Sequence, residues 1–222
     1  MDARLAFAVE LEQRDATVAE RIDALAASGS DVERMRRRAA ELQSLLGRVP
    51  AERAHLDDAA AESARALESA NAALIEADAV LARARGDARE AARLAASRAA
   101  AAVRAEEERQ ERLARRRAAL EQETGQLGAE AAGLERQARE VAARLAESAR
   151  VSATAAPEPG LAGIVAWGAR AQAAVLVARG GLESERERIV REANELAASV
   201  LGEPLYTASV ALVRRRLEQA LA

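Results

Sequence analysis

The chain has 222 residues, of which 31% are charged and only 1% aromatic, and its formal net charge is −3. Half of the residues are nominally hydrophobic, but many of these are alanine, so the composition is typical of long helices and coiled coils. All 33 basic residues are arginine and there is no cysteine, which excludes a lysine-dependent phosphate loop, Schiff-base chemistry and disulfides.

The first segment, residues 2–46, is expected to form a helix. Apolar residues recur at helical spacing on one face, among them Val18, Ile22 and Leu25. Gly29 interrupts the segment, but the apolar phase continues beyond it, which favours a kink over a reversal. The N-terminus lacks a signal-peptide pattern and no segment reaches about 20 uninterrupted apolar residues, so a cytoplasmic location without a membrane span is expected.

A turn is predicted at residues 47–50. Gly47 suits the left-handed position that follows a helix, and Pro50 suits the first turn of the next helix. The segment from 51 to about 150 has no proline and is predicted to be one long helix. Leu67, Leu74 and Leu81 repeat every seven residues along it. Residues 2–46 and 51–95 have equal lengths, which predicts an antiparallel hairpin with a seam made of Val18, Ile22, Leu25, Leu67, Leu74 and Leu81.

A second heptad series follows, and it is displaced by one residue from the first. Its apolar members are Leu113, Leu120, Leu127, Leu134, Val141 and Leu145. The first helix is too short to cover this series, so a second copy of the chain, in a homodimer of either strand orientation, is the expected partner. Gly86-Asp87 is the alternative place for a reversal. Because the first series passes through it unbroken, we expect the helix to continue there.

Residues 151–160, with two prolines, are predicted to be a linker, and residues 161–222 a small helical module. Residues 161–179 are apolar, and a buried helix is favoured over a strand or a membrane-surface helix. The module would hold three short helices around a core. That core is predicted to contain Ile164, Trp167, Val175, Ile189, Leu196, Val213 and Leu217. A unit of this size is marginally stable alone, so it is expected to dimerise or to pack on the coiled coil.

No catalytic, metal or cofactor pattern is found in the sequence. The single histidine, His55, has no converging ligands, and carboxylates interleave with arginines as on solvated helix faces. Three arginine triplets, 36–38, 115–117 and 214–216, offer phosphate contacts. Arg214, Arg215 and Arg216 are the strongest candidates because Glu218 is the only carboxylate close to them in sequence.

The sequence therefore predicts an all-α protein: long coiled-coil helices with an antiparallel helical hairpin and a small C-terminal helical module. The expected function is non-enzymatic. It would be a scaffold or adaptor that self-associates and binds a protein partner through residues 160–222. A nucleic-acid-associated coiled coil that uses the arginine clusters is the alternative. A peripheral membrane protein is the third possibility and the least favoured of the three.

Overall fold

The structure is a computed structural model that describes residues 3–149 and 155–221, and within these residues it contains four helices and no strand. Helix α1 spans Ala3–Arg83, α2 Asp87–Ala149, α3 Leu161–Leu201 and α4 Val210–Leu221. The predicted all-α fold, with a helical hairpin and a C-terminal helical part, is confirmed, but the boundaries of its helices differ from those expected.

The turn predicted at residues 47–50 is wrong, because α1 runs without interruption through Gly29, Gly47 and Pro50. A proline inside a helix lacks the N–H that would bond to the carbonyl four residues before it, and it costs about 3 kcal/mol. The apolar seam offsets this cost. Buried or half-buried residues continue at alternating three- and four-residue steps on both sides of Pro50, including Leu42, Leu46, Val49 and Leu56.

The chain reverses instead at Gly86. This residue has a φ of 61°, in the left-handed region that glycine adopts without strain. The amide of Arg89 donates to the carbonyl of Gly86 at 3.0 Å, and Asp87 and Glu90 lie in the first turn of α2, where the helix dipole favours acidic groups. The expectation that the helix would continue through Gly86-Asp87 is therefore wrong.

The chain divides into two compact units. Unit 2, Leu42–Glu130, is the antiparallel hairpin formed by the end of α1 and the start of α2. Unit 1 comprises Met1–Glu41 and Ala131–Ala222. The start of α1 contributes to unit 1 and its remainder to unit 2, so the predicted division between a coiled coil and a separate C-terminal module is not the one observed.

In unit 1, α3 runs antiparallel to the first part of α1. Gly168 lies against the side chain of Arg36, and Gly29 lies against Val175. Further along, Asp15 accepts a hydrogen bond from Arg186 at 2.8 Å, and Glu192 pairs with Arg14. The residue numbers rise along one helix as they fall along the other, which defines the antiparallel orientation.

The C-terminal part contains two helices rather than the expected three. Helix α3 continues through Gly180 and Gly181 and ends at Gly202, which has a φ of 75° and donates its N–H to the Ala198 carbonyl. The Asn194 side chain holds the following loop through hydrogen bonds to both backbone polar groups of Thr207. Residues 161–180, for which helix and strand were both considered, are helical. Of the predicted linker, residues 155–160 lie outside the helices, and residues 151–154 are outside the described part of the chain.

Candidate interaction surfaces

The predicted self-association seam is divided between the two units and covered within the chain. Leu120 is buried in unit 2, where Leu113 and Leu127 are half-buried. Leu120 and Leu127 line a groove together with residues of the facing helix, among them Leu45 and Val49. The remaining members, Leu134, Val141 and Leu145, are buried in unit 1. The premise that no other part of the chain reaches this seam is therefore wrong.

The predicted hairpin seam is not formed between its two halves. Val18 and Leu25 are buried in unit 1, with Ile22 half-buried beside them. Leu67, Leu74 and Leu81 belong to the same continuous helix, α1, and are half-buried in unit 2. Their partner in the hairpin is the start of α2, where Ala92, Ala96 and Val103 are buried.

The predicted core of the C-terminal module is placed on the inner faces of α3 and α4. Six of its residues are buried, and Leu196 is half-buried; the six are Ile164, Trp167, Val175, Ile189, Val213 and Leu217. They do not enclose an independent module, because α3 and α4 pack in the same unit as the first part of α1. The indole N–H of Trp167 is buried without a hydrogen-bond acceptor among the described residues.

The arginine triplets are largely neutralised by carboxylates. Within 115–117, the first arginine pairs with Glu111, the second with Glu52 and Glu123, and the third with Asp57 and Glu121. In the first triplet, Glu33 accepts hydrogen bonds from both Arg36 and Arg37, and Arg38 donates to Glu41. Arginines that are already paired have little capacity left for phosphate groups.

The C-terminal triplet is only partly available for binding. Arg214 forms ion pairs with Glu12 of α1 and with Glu218. Arg215 and Arg216 are exposed and form no ion pair with other described residues. Two adjacent arginines on a short helix are a small fraction of the six to ten phosphate contacts, roughly, of a typical DNA-binding protein.

The ion pairs shift the pKa of several groups. Hydrogen bonds from Arg36 and then from Arg37 lower the pKa of the Glu33 carboxyl group to about 2. The hydrogen bond to Glu52 raises the pKa of Arg116, and the hydrogen bond to Asp15 raises that of Arg186. These pairs connect different helices, Arg116–Glu52 in unit 2 and Arg186–Asp15 in unit 1, so they contribute to helix packing rather than to a reaction centre.

The described residues contain no group of three or more histidine or acidic side chains that could hold a metal ion. His55 is exposed on α1. A groove of about 520 Å³ inside unit 1 lies between α1 and α3 and is open to solvent. Among its polar members, Glu33, Arg34 and Arg37 are engaged in ion pairs along α1, and Arg179 pairs with Glu183 on α3. This arrangement provides neither a nucleophile–base pair nor an enclosed cavity.

The outward face of α3 is apolar and uncovered. Its exposed positions follow steps of four and three residues, as in a coiled-coil seam: Ala162, Ala166, Ala169, Ala173, Leu176 and Gly180. Next to this strip, Val177 is 77% exposed, and Leu176 itself is 68% exposed. The strip differs from the expectation that residues 161–179 form a buried helix. The spacing of its alanines was the available signal.

The same helix satisfies the length and composition of a membrane-crossing segment. One 18-residue window within α3 has a mean hydropathy of 1.5 and no more than two charged residues, and 33% of that window is buried inside the chain. A core helix of a water-soluble protein satisfies the same criteria, so a single such helix is weak evidence for a membrane span.

The chain matches no protein-family model, and comparisons with curated proteins and with solved structures find no match.

Proposed function

We propose that this protein is a non-enzymatic scaffold or adaptor that acts through self-association and partner binding. The observation that carries the proposal is the uncovered apolar strip on α3, residues 162–180. Elsewhere most large apolar side chains of unit 1 are packed inside, with Phe7, Tyr206 and Leu212 as separate exposed exceptions, and many of its charged groups are paired. A continuous apolar strip on the surface of a folded unit is typical of a protein–protein interface.

The strip favours a second copy of the same chain as its partner. Its spacing is that of a coiled-coil seam, and its small side chains allow two helix backbones to approach closely. In a twofold dimer the same patch must fit itself, and an uncharged strip meets that condition without bringing like charges together. We therefore still propose a homodimer, as expected from the sequence, but with an interface on α3 instead of residues 113–145.

Sedimentation velocity over a concentration series tests this proposal. We expect the wild-type chain to be dimeric at tens of micromolar, roughly the range of a moderately tight interface. Ala169→Glu combined with Leu176→Glu places carboxylates seven residues apart on the strip and should give a monomer. Ala95→Glu combined with Ala102→Glu is the matched control, because both alanines are exposed on α2 with the same spacing. A wild-type chain that stays monomeric at these concentrations would contradict the proposal.

A peripheral membrane role is the second candidate, because α3 meets the composition of a membrane helix. Co-sedimentation with phosphatidylglycerol vesicles distinguishes it from the first. If the same Ala169→Glu, Leu176→Glu variant loses vesicle binding that the wild type shows, then the strip contacts lipid. If vesicles bind neither protein while the wild type dimerises, the strip is a protein interface.

A further inference from the structure

The tip of the α1–α2 hairpin concentrates arginines that have no ion-pair partner. Arg83, Arg85, Arg89 and Arg93 all lie within seven residues of the turn at Gly86, and all four are exposed. None of them forms an ion pair or a side-chain hydrogen bond with another residue of the described ranges. The two carboxylates between them, Asp87 and Glu90, leave a net charge of +2 on a chain whose total is −3.

The body of the same hairpin contains both paired and unpaired arginines: Arg48, Arg53 and Arg98 form no ion pair with other described residues, but three others pair between the helices. Arg109 pairs with Glu62 at 3.3 Å, Arg117 pairs with Asp57 at 3.3 Å, and Arg116 pairs with Glu52, each pair joining the two helices. Carboxylates thus face arginines at these three points between the helices. The four tip arginines have no such partner among the described residues, although four like charges close together repel one another.

Exposed aliphatic side chains accompany these arginines. Leu94 and Val80 are each 54% exposed, and Leu94 lines one shallow depression together with Gly86, Arg89, Glu90 and Arg93. Arg89, Arg93 and the aliphatic side chain of Leu94 therefore share a single surface beside the turn. Such a surface suits a ligand that offers both carboxylates and apolar groups.

We infer that the hairpin tip, residues 80–94, binds an acidic segment of a partner protein that carries aliphatic side chains. Arginine is the residue best suited to this task, because its planar guanidinium binds a carboxylate through two parallel hydrogen bonds. A nucleic-acid backbone has no group to match Leu94 and Val80, and the tip has no aromatic side chain to stack on bases. The inference adds a second surface to the proposed function and does not depend on the strip on α3.

Fluorescence anisotropy with the full chain tests this inference, using a short fluorescein-labelled peptide rich in glutamate and leucine as the probe. The tip variant changes Arg83, Arg85, Arg89 and Arg93 to glutamine. The control variant changes Arg48, Arg53, Arg215 and Arg216 to glutamine, which removes the same charge from exposed arginines elsewhere. We expect the tip variant to bind the peptide about tenfold more weakly and the control variant to bind within about twofold of wild type.

Binding to the tip should also weaken as salt rises from about 50 to about 300 mM, because exposed ion pairs are screened over this range. Equal losses in both variants, or no loss in the tip variant, would overturn the inference. So would tip-dependent binding of duplex DNA or of phosphatidylglycerol vesicles that is tighter than binding of the peptide. If far-UV circular dichroism shows that the fourfold tip variant loses helix, Arg89→Gln combined with Arg93→Gln replaces it, with a smaller expected loss of about threefold. The result with that variant then decides between the same outcomes.

Discussion

The two units of this chain differ in the side chains that hold their helices together. Unit 1 has a wide core of large side chains. Five of them are at most 2% exposed: Leu11, Leu25, Ile164, Trp167 and Ile189. In unit 2, Leu56, Val103 and Leu120 keep 5–9% of their surface exposed, and ion pairs between the two helices flank a narrow seam of leucine and alanine. All three aromatic residues, Phe7, Trp167 and Tyr206, belong to unit 1.

The difference shows two ways in which an alanine-rich sequence can hold helices together. Where three or four helices meet, large side chains fill the space between them and the hydrophobic effect supplies most of the stability. Where only two helices meet, most side chains are near water, Leu42 and Ser63 being fully buried exceptions, and less apolar area can be removed from water. There the specificity of pairing depends more on register, polar contacts and the turn. The following four predictions test this difference.

The largest effect is expected in the core of unit 1. Trp167→Ala removes a buried indole and should lower the free energy of unfolding by about 3–5 kcal/mol. Trp167→Phe is the matched control, and it should cost less than about 1.5 kcal/mol because the indole N–H that it removes has no acceptor. Leu120→Ala in unit 2 should cost only about 2 kcal/mol, since less surface is buried there. Urea unfolding followed by circular dichroism measures all three, and equal costs for Trp167→Ala and Leu120→Ala would remove the distinction between the units.

Replacing Pro50, in contrast, is expected to raise the free energy of unfolding. Because this residue lies inside α1 and is exposed, Pro50→Ala restores a backbone hydrogen bond to the Leu46 carbonyl and should stabilise unit 2 by up to about 3 kcal/mol. Gly47→Ala tests the same segment with a smaller gain of about 1 kcal/mol, because a methyl group there meets no neighbouring atom. Amide hydrogen exchange of the hairpin measures both. A loss of stability on replacing Pro50 would show that a turn exists at this position after all.

A smaller loss is expected at Ser63, the buried polar residue of the hairpin. Its hydroxyl donates to the Glu106 carboxylate at 2.8 Å across the two helices. Ser63→Ala removes this hydrogen bond and should cost about 1–2 kcal/mol. Adding Glu106→Gln completes a double-mutant cycle that isolates the coupling between the two side chains. Additive effects in that cycle would indicate that Ser63 is retained for its size alone.

The smallest effect is a pH dependence that arises in unit 1. The pKa of Glu33 is about 2 in the folded protein, against 4.5 for the ordinary carboxyl group. A lowered folded-state pKa means that Glu33 stabilises the fold above pH 4.5, and that this contribution is lost as the pH falls toward 2. Carbon-13 NMR titration of the Glu33 carboxyl carbon measures the pKa directly. Arg36→Gln combined with Arg37→Gln should return the pKa toward 4.5, and an unchanged value would contradict the assigned cause.

Much of the fold could be predicted from the sequence, but the position of the turn was misread. The heptad that contains Leu67, Leu74 and Leu81 keeps its phase backwards through Ala60 and Leu46 to Leu11, and the exposed Arg53 is its one polar member. That continuity is evidence for one helix. Local signals for a helix end were given more weight than the seam, although packing along a seam can offset the cost of one proline.

The true turn also had a signature in the sequence. The second heptad series is displaced by one residue from the first. In the structure the second phase already begins at Ala92, whereas Ala88, Ala95 and Ala102, which continue the first phase, are exposed. The phase changes at Gly86, where the chain reverses. Alanines at equal spacing masked the change, because alanine is compatible with both the buried and the exposed face of a helix.

The candidate surfaces were less predictable than the fold. The strip on α3 and the arginines at the hairpin tip are candidate surfaces because no other helix covers them. Their exposure depends on which helices lie next to each other. Residues 161–179 carry apolar side chains on both sides of the helix, so the sequence pattern identified a buried face around Ile164 but not the exposed face around Leu176. The arginine triplets are visible as runs in the sequence. Their carboxylate partners are mostly contributed by residues distant in sequence or one helical turn away, so the pairing is not evident from the runs themselves.

The turn at Gly86 also has a consequence for the order in which the chain folds. Residues close to the turn meet after closing only a short loop, whereas Ser63 and Glu106 are 43 residues apart and Glu52 and Arg116 are 64 apart. Each doubling of loop length adds about 0.6 kcal/mol of closure entropy. Once the first turns beside Gly86 have paired, every further contact closes only a small additional loop. The contacts between α1 and α2 are therefore expected to form first beside Gly86 and then progressively farther from the turn. The contacts nearest Gly86 should already be formed in the folding transition state.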